Sequence, residues 1–202
     1  MKVLLVNGSP HTEGCTYTAL REVEGRLNVE GIATEYFQIG TKPVYGCIAC
    51  HSCNNSDYCA LTEDRCNDLI KMAEQSDGFI FGSPVYYSGP NGALCAILDR
   101  AFYAGGRAFF QKPGAVVVSC RRGGATAAFD RLNKYLMISQ MPVVSSQYWN
   151  IIHGNSPEET RQDLEGLQIM RTLGKNMAWL LKSLANSPRP EQEPWIGTNF
   201  IR

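Results

Sequence analysis

Short apolar runs alternate with longer stretches of helical periodicity from one end of the chain to the other. Lys2–Val6 (KVLLV) reads as a buried strand, and Cys15–Glu30 as a helix with Leu20, Val23 and Leu27 on one face. Ala33–Phe37 is a weaker second strand. An irregular segment from 40 to 62 follows, then a helix over Asp64–Gln75 that turns Leu69, Ile70 and Ala73 inward. Gly78–Gly82 (GFIFG) is a strand running into a Ser83-Pro84 turn, and Asn91–Phe102 is helical. Valine-rich Ala115–Ser119 is the clearest strand. A helix over Ala125–Ile138 and a fifth strand over Pro142–Ser146 complete the alternation. Ser156, Pro157 and Glu159 supply an N-cap, a first-turn proline and a capping-box acid, which predict a last helix from Glu158 to Leu184.

Five strands alternating with five helices predict an α/β three-layer sandwich, a parallel sheet with helices on both faces. Right-handed crossovers leave the flavodoxin-like order 2-1-3-4-5 and the Rossmann order as the main topologies. The length of 202 residues fits one domain over 1–186. The tail 187–202 has no periodicity, yet Trp195, Phe200 and Ile201 are apolar enough to predict packing on this subunit or a partner.

With 19 basic and 19 acidic residues the formal charge is zero, which leaves no electrostatic footprint for nucleic acid or an anionic membrane surface. No stretch reaches the roughly 20 apolar residues that span a bilayer, and MKVLLVNGSP carries too short an apolar run for a signal peptide. A cytoplasmic location is expected, with the eight cysteines reduced, metal-bound or redox-active rather than a disulfide framework.

In open α/β sheets the ligand lies beyond the carboxyl ends of the strands. Three unusual loops leave strands there. The first, Gly8 to Thr16 (GSPHTEGCT), is rich in small and hydroxyl residues and opens a helix, so backbone N–H groups with Ser9 and Thr16 suit a phosphate. A tight turn with a capped helix explains it equally. It lacks both GxGxxG and the GK[ST] ending of a P-loop. The second, Ser83 to Pro90 (SPVYYSGP), is stiffened by prolines and offers Tyr86 and Tyr87 as flat surfaces for a planar ring. The alternative is a turn whose tyrosines cover the core edge. The third, Ser119-Cys120-Arg121-Arg122-Gly123-Gly124, joins positive charge to close backbone approach and suits a ring edge that becomes anionic, although a solvated basic turn reads the same way.

The pieces VNGSPHTEGCT, GSPVYYSGPNGALCAILDR, SCRRGG and the closing TNFIR resemble the NADPH-dependent FMN reductase and iron–sulfur flavoprotein group of flavodoxin-like proteins. The resemblance spans nearly the whole chain, and GSPVYY…LDR is its most specific part. It implies that Ser9, His11, Gly14, Cys15 and Thr16 hold the FMN phosphate. It places Pro84, Val85, Tyr86 and Tyr87 against the isoalloxazine, with Ser119, Arg121, Arg122, Gly123 and Gly124 at the ring's far edge. The family commonly has Arg at the place of His11, Asn at Cys15 and Lys at Cys95, and these departures imply weaker phosphate binding. No side chain is then nucleophile or base, because FMN carries the chemistry.

Cys47, Cys50, Cys53 and Cys59 form C-x2-C-x2-C-x5-C in a long loop. Such a compact run suits a cluster whose thiolates converge on one cubane, whereas structural zinc prefers two separated C-x2-C knuckles. The spacing is similar to the 4Fe–4S motif of iron–sulfur flavoproteins. Redox-active thiols, a disulfide, zinc, or buried structural thiols stay open as alternatives, and His51 within the run reads as a surface imidazole before a zinc ligand. Cys120 at the flavin edge is either redox-active or simply packed.

Two functions of different class follow. One is an FMN-dependent enzyme taking electrons from NAD(P)H and giving them to a flavin, quinone, nitro or azo acceptor in ping-pong fashion. The other is an electron carrier between redox partner proteins. A third class, a flavin- or nucleotide-binding regulatory module, predicts bound ligand without turnover. The resemblance implies a homodimer or homotetramer.

Overall fold

A computed structural model describes residues 1–198. Five parallel strands form the sheet: β1 (Lys2–Asn7), β2 (Ala33–Gln38), β3 (Gly78–Tyr86), β5 (Gly114–Cys120) and β6 (Ile151–His153). Their spatial order is β2-β1-β3-β5-β6, with the two-residue β4 (Gly89–Pro90) pairing antiparallel to the end of β3. Setting β4 aside, this is the predicted flavodoxin-like 2-1-3-4-5 order.

The pleat divides β1 between two cores. Val3 and Leu5 pack with α1 (Cys15–Val29) and α6 (Leu164–Leu184), through Leu20, Val23, Ile169, Met170 and Leu173. Leu4 and Val6 face the opposite way, toward α2 (Cys66–Glu74), α3 (Gly92–Ala104) and α4 (Ala125–Ile138). A strand buried on both faces has no polar positions to alternate with, which explains the unbroken KVLLV run.

The fifth strand is not where the pattern put it. Over Pro142–Ser146 the chain makes only one bridge, Val143 to Gly114. The edge is instead filled by Ile151–His153, pairing Val118 with Ile151 and Ser119 with Ile152. Of Val143 and Val144 only the second is buried, while Ile151 and Ile152 both are. A three-residue strand leaves too short a pattern to rank above the Val-Val pair.

The long last helix is also broken. Ser156 caps as predicted, its Oγ accepting from the Glu159 N–H at 3.3 Å, but it starts only the single turn α5 (Pro157–Thr160). Asp163 then restarts the helix. Its Oδ1 accepts from Gly166 N–H at 2.9 Å, and its Oδ2 from the edge-strand N–H of His153 at 2.7 Å.

The segment 188–198 has no regular secondary structure, and Trp195 and Ile196 are 92% and 89% exposed in the single chain. Phe200 and Ile201 lie outside the described residues. Among the described residues no helix is long and apolar enough to cross a membrane.

Candidate functional site

The first loop is shaped by Asn7, the buried last residue of β1. Its Oδ1 accepts from the Ser9 N–H at 3.1 Å and its Nδ2 donates to Gln38 Oε1 at 2.6 Å, while Gln38 Nε2 donates to the Ser9 carbonyl at 2.7 Å. These bonds turn the Ser9 carbonyl toward the scaffold. Gly8 is required by space, since a Cβ there would lie 2.7 Å from the Gly82 carbonyl and 2.5 Å from Leu94. Gly14 then opens α1, and among the described residues no side chain caps it. Its first-turn N–H groups therefore remain free to bind an anion.

The second loop departs from expectation. No turn follows Gly82: β3 continues to Tyr86, and the chain reverses at Tyr87 and Ser88, both left-handed at φ 50° and 59°. Two such residues match the right-handed twist of the flanking strands, at a conformational cost that non-glycine residues rarely carry. Asn91, which sequence reasoning passed over, ties this hairpin to the first loop. Its Oδ1 caps α3 through Ala93 N–H at 2.9 Å, and its Nδ2 donates to the Gly8 carbonyl at 2.7 Å. Its asparagine-before-helix position was the available signal.

The third loop divides. Ser119 lies against the first loop, its Oγ 2.8 Å from Thr16 Oγ1, with both side chains buried. Gly124, at φ 83°, lets α4 start against the hairpin, because a Cβ there would lie 2.7 Å from Ser88 Cα.

These loops border one open cleft of about 690 Å³. Ser9, His11, Gly14, Cys15, Thr16, Pro84, Val85, Tyr86, Ser119 and Arg121 line it together. Four predicted residues are not among its walls. Tyr87 stands at the hairpin tip in solvent, and Arg122, Gly123 and Gly124 line a neighbouring cleft of about 500 Å³ with Trp149 and His153. The reason is local: the chain turns at Arg121–Gly124 to enter α4. A fourth wall was missed, Gly154–Pro157 after β6, where the Gly154 carbonyl lies 3.7 Å from Cys15 Sγ. Its N-S-P signature reads as a helix start and gives no sign of a cleft wall. Cys120 also lines the cleft, and burial raises its thiol above the ordinary range, which keeps it protonated at neutral pH.

The cysteine loop lies between β2 and α2. Cys47, Cys50, Cys53 and Cys59 border one small cavity of about 20 Å³, shared with His51, Arg100 and Tyr103. Among the described residues no three ligating side chains stand close enough to hold a metal ion. Ala49 and His51, flanking Cys50, are both left-handed. The floor of the cavity is Arg100, whose side chain is 1% exposed. Its Nε donates to Cys59 Sγ at 3.2 Å, one terminal nitrogen to the Tyr45 carbonyl at 3.1 Å and to Asp64 Oδ2 at 2.5 Å, and the other to the Leu61 carbonyl at 2.7 Å. Asp64 is as deeply buried. Burial opposes its ionisation, but the Arg100 hydrogen bond and the N–H groups of Tyr45 and Cys66 hold its carboxyl below the usual range. Nearby Cys66 is pushed up to about 12 by burial. Arg100 closes the GSPVYY…LDR piece, yet nothing in the sequence pairs it with Asp64.

Residues 1–156 match the family described as NADPH-dependent FMN reductase. An iron–sulfur flavoprotein of Methanocaldococcus jannaschii is 32% identical over 190 residues, covering 90% of this chain and 98% of its own length. A second iron–sulfur flavoprotein of that organism is 26% identical, covering 85% and 92%. Among solved structures, a flavodoxin from the domain Archaea superposes with a TM-score of 0.61 at 14% identity, covering 90% of this chain and 99% of that one, a likeness of fold.

Proposed function

This chain belongs to the NADPH-dependent FMN reductase family and is a flavin-dependent oxidoreductase; from that premise we propose that it takes electrons from reduced nicotinamide through FMN bound in the 690 Å³ cleft. The observation that carries this reading is the convergence of four strand-end loops on one cleft that contains an uncapped helix N-terminus. The donor set fits the group. A phosphate finds the free N–H groups at Gly14–Thr16 and the Ser9 hydroxyl, while Thr16 can still accept or donate beyond its bond to Ser119. A flat ring finds the stiff backbone of Pro84–Tyr86 on one side and Ser119–Arg121 on the other. When bound, FMN supplies hydride acceptance.

The protein's own part is positional and electrostatic. Arg121 offers positive charge where the ring becomes electron-rich. Tyr86, half exposed at the cleft mouth, flanks the slot that the nicotinamide and then the acceptor occupy in turn. A flavin, quinone, nitro or azo compound fits such an open slot. Anaerobic mixing of FMN-loaded protein with NADPH, and separately NADH, tests this. Bleaching of the flavin absorbance is expected, and absence of bleaching with both, in protein that dithionite still reduces, overturns it in favour of an electron carrier.

The four cysteines on one cavity favour a second element, a 4Fe–4S cluster held by Cys47, Cys50, Cys53 and Cys59. The donor set has the thiolate chemistry such a cluster needs, and relatives bearing the iron–sulfur name cover the same span. The cluster would pass single electrons onward from the flavin to a partner. Iron and sulfide analysis with an absorption spectrum after anaerobic purification tests it, with protein free of both refuting it. A homodimer or homotetramer is part of the same proposal, with the tail residues Trp195 and Ile196 as the apolar surface that a second copy covers.

A further inference from the structure

We infer that Arg100 is a positioning residue for the metal cluster proposed at the four cysteines, fixing both the geometry of the loop and the electrostatics of Cys59 through one buried guanidinium. The inference rests on the cluster reading. It goes beyond it by assigning a role to a residue outside the thiol set.

Three observations carry it. Arg100 bonds the cysteine loop at three separate points, at Tyr45 before the first cysteine, at Cys59 itself and at Leu61 after it. One rigid planar fork therefore sets the distance between both ends of the loop, something an ammonium group on a flexible stem does not do. Second, the bond to Cys59 is a charged donor on a sulfur, made at 1% exposure where little water screens it. Reduction potentials of iron–sulfur sites rise with hydrogen bonds to the ligating sulfurs and with nearby positive charge. Third, Asp64 balances that charge at 2.5 Å, so the pair sets a defined and partly cancelled field at the cavity floor.

The two partners consequently have opposite electrostatic effects. Arg100→Lys keeps the charge and removes the N–H···S bond, so the cluster's midpoint potential moves negative. Asp64→Asn leaves the guanidinium less compensated, so the potential moves positive. A residue that merely held the loop in place would lower iron content in both variants without moving the potentials apart.

The test is a dye-mediated anaerobic redox titration of the full-length protein, wild type and the two variants, with iron, sulfide and flavin counted per chain and folding checked by circular dichroism. Opposite shifts, with flavin content kept, are expected. Shifts of the same sign, or an unmoved potential in a cluster-bearing Arg100→Lys protein, overturn the assignment while leaving the cluster reading intact. Wild type without iron and sulfide overturns the cluster reading and this inference with it. Where Arg100→Lys fails to fold or to take up iron, Asp64→Asn decides alone, and a potential that is unchanged or more negative overturns the assignment.

Discussion

The guanidinium Nε of Arg100, on α3, stands 3.2 Å from the sulfur of Cys59, 41 residues earlier in a loop with little regular structure. That contact, with the Asp64 ion pair beside it, anchors a long irregular segment to a buried helix of the α/β core.

Asp64→Ala strands a buried guanidinium without its counter-charge. A loss of about 3–5 kcal/mol in unfolding free energy at pH 7 is expected, the usual cost of removing one partner from a buried pair. The pH dependence has a definite sign. The folded Asp64 carboxyl titrates below its unfolded value of about 3.9, so its contribution is complete above that value and disappears as pH falls through the folded one. Denaturant curves should show a constant gap between wild type and variant from pH 5 to 8, narrowing in stronger acid. A gap that widens toward acid contradicts the account.

Gly124→Ala and Gly25→Ala should move stability in opposite directions. The first places a Cβ 2.7 Å from Ser88 Cα at a left-handed φ, and about 1–3 kcal/mol of destabilisation with weakened flavin retention is expected. Gly25 sits exposed within α1 with nothing within 4 Å of its Cβ position, and alanine there should gain about 0.5–1 kcal/mol. Thermal melts with and without FMN read both effects.

Thr16→Val tests which end of the flavin the first loop holds. FMN should bind about tenfold more weakly, in line with one lost hydrogen bond to a charged group, while riboflavin, lacking the phosphate, should bind nearly as before. Flavin fluorescence quenching measures both. Equal losses for the two ligands place the phosphate elsewhere.

Truncation after Asn186 should leave the melting temperature within about 2 °C, since Trp195 and Ile196 make little contact with their own domain and surface changes of that kind are usually worth under about 0.5 kcal/mol. Sedimentation velocity should nonetheless show a smaller species than the full chain. Unchanged assembly in the truncated protein removes the tail from the interface.

Much of this architecture was legible in the sequence because β1, β3 and β5 are buried on both faces and so read as continuous apolar runs. Ile151–His153 was not, because an edge strand of three residues is shorter than any periodicity it could display. The first loop was recognisable from its small and hydroxyl residues. The left-handed pair Tyr87 and Ser88 was not, since neither is a residue type that announces positive φ. Arg100 closes the GSPVYY…LDR piece, but its role is illegible for another reason: a buried ion pair depends on two positions far apart in sequence, and an arginine in a helix reads as surface until its partner is known.

One helix carries a fixing point for the cleft and another for the cysteine loop. Asn91 opens α3 by gripping the first loop of the cleft, and Arg100, nine residues on, grips the cysteine loop. At 1.5 Å rise per residue the two anchors stand about 14 Å apart along a single rod. The separation of the two loops is thus referred to a common ruler, and under the proposed transfer from flavin to cluster the length of one helix would set how far apart the two sites are held.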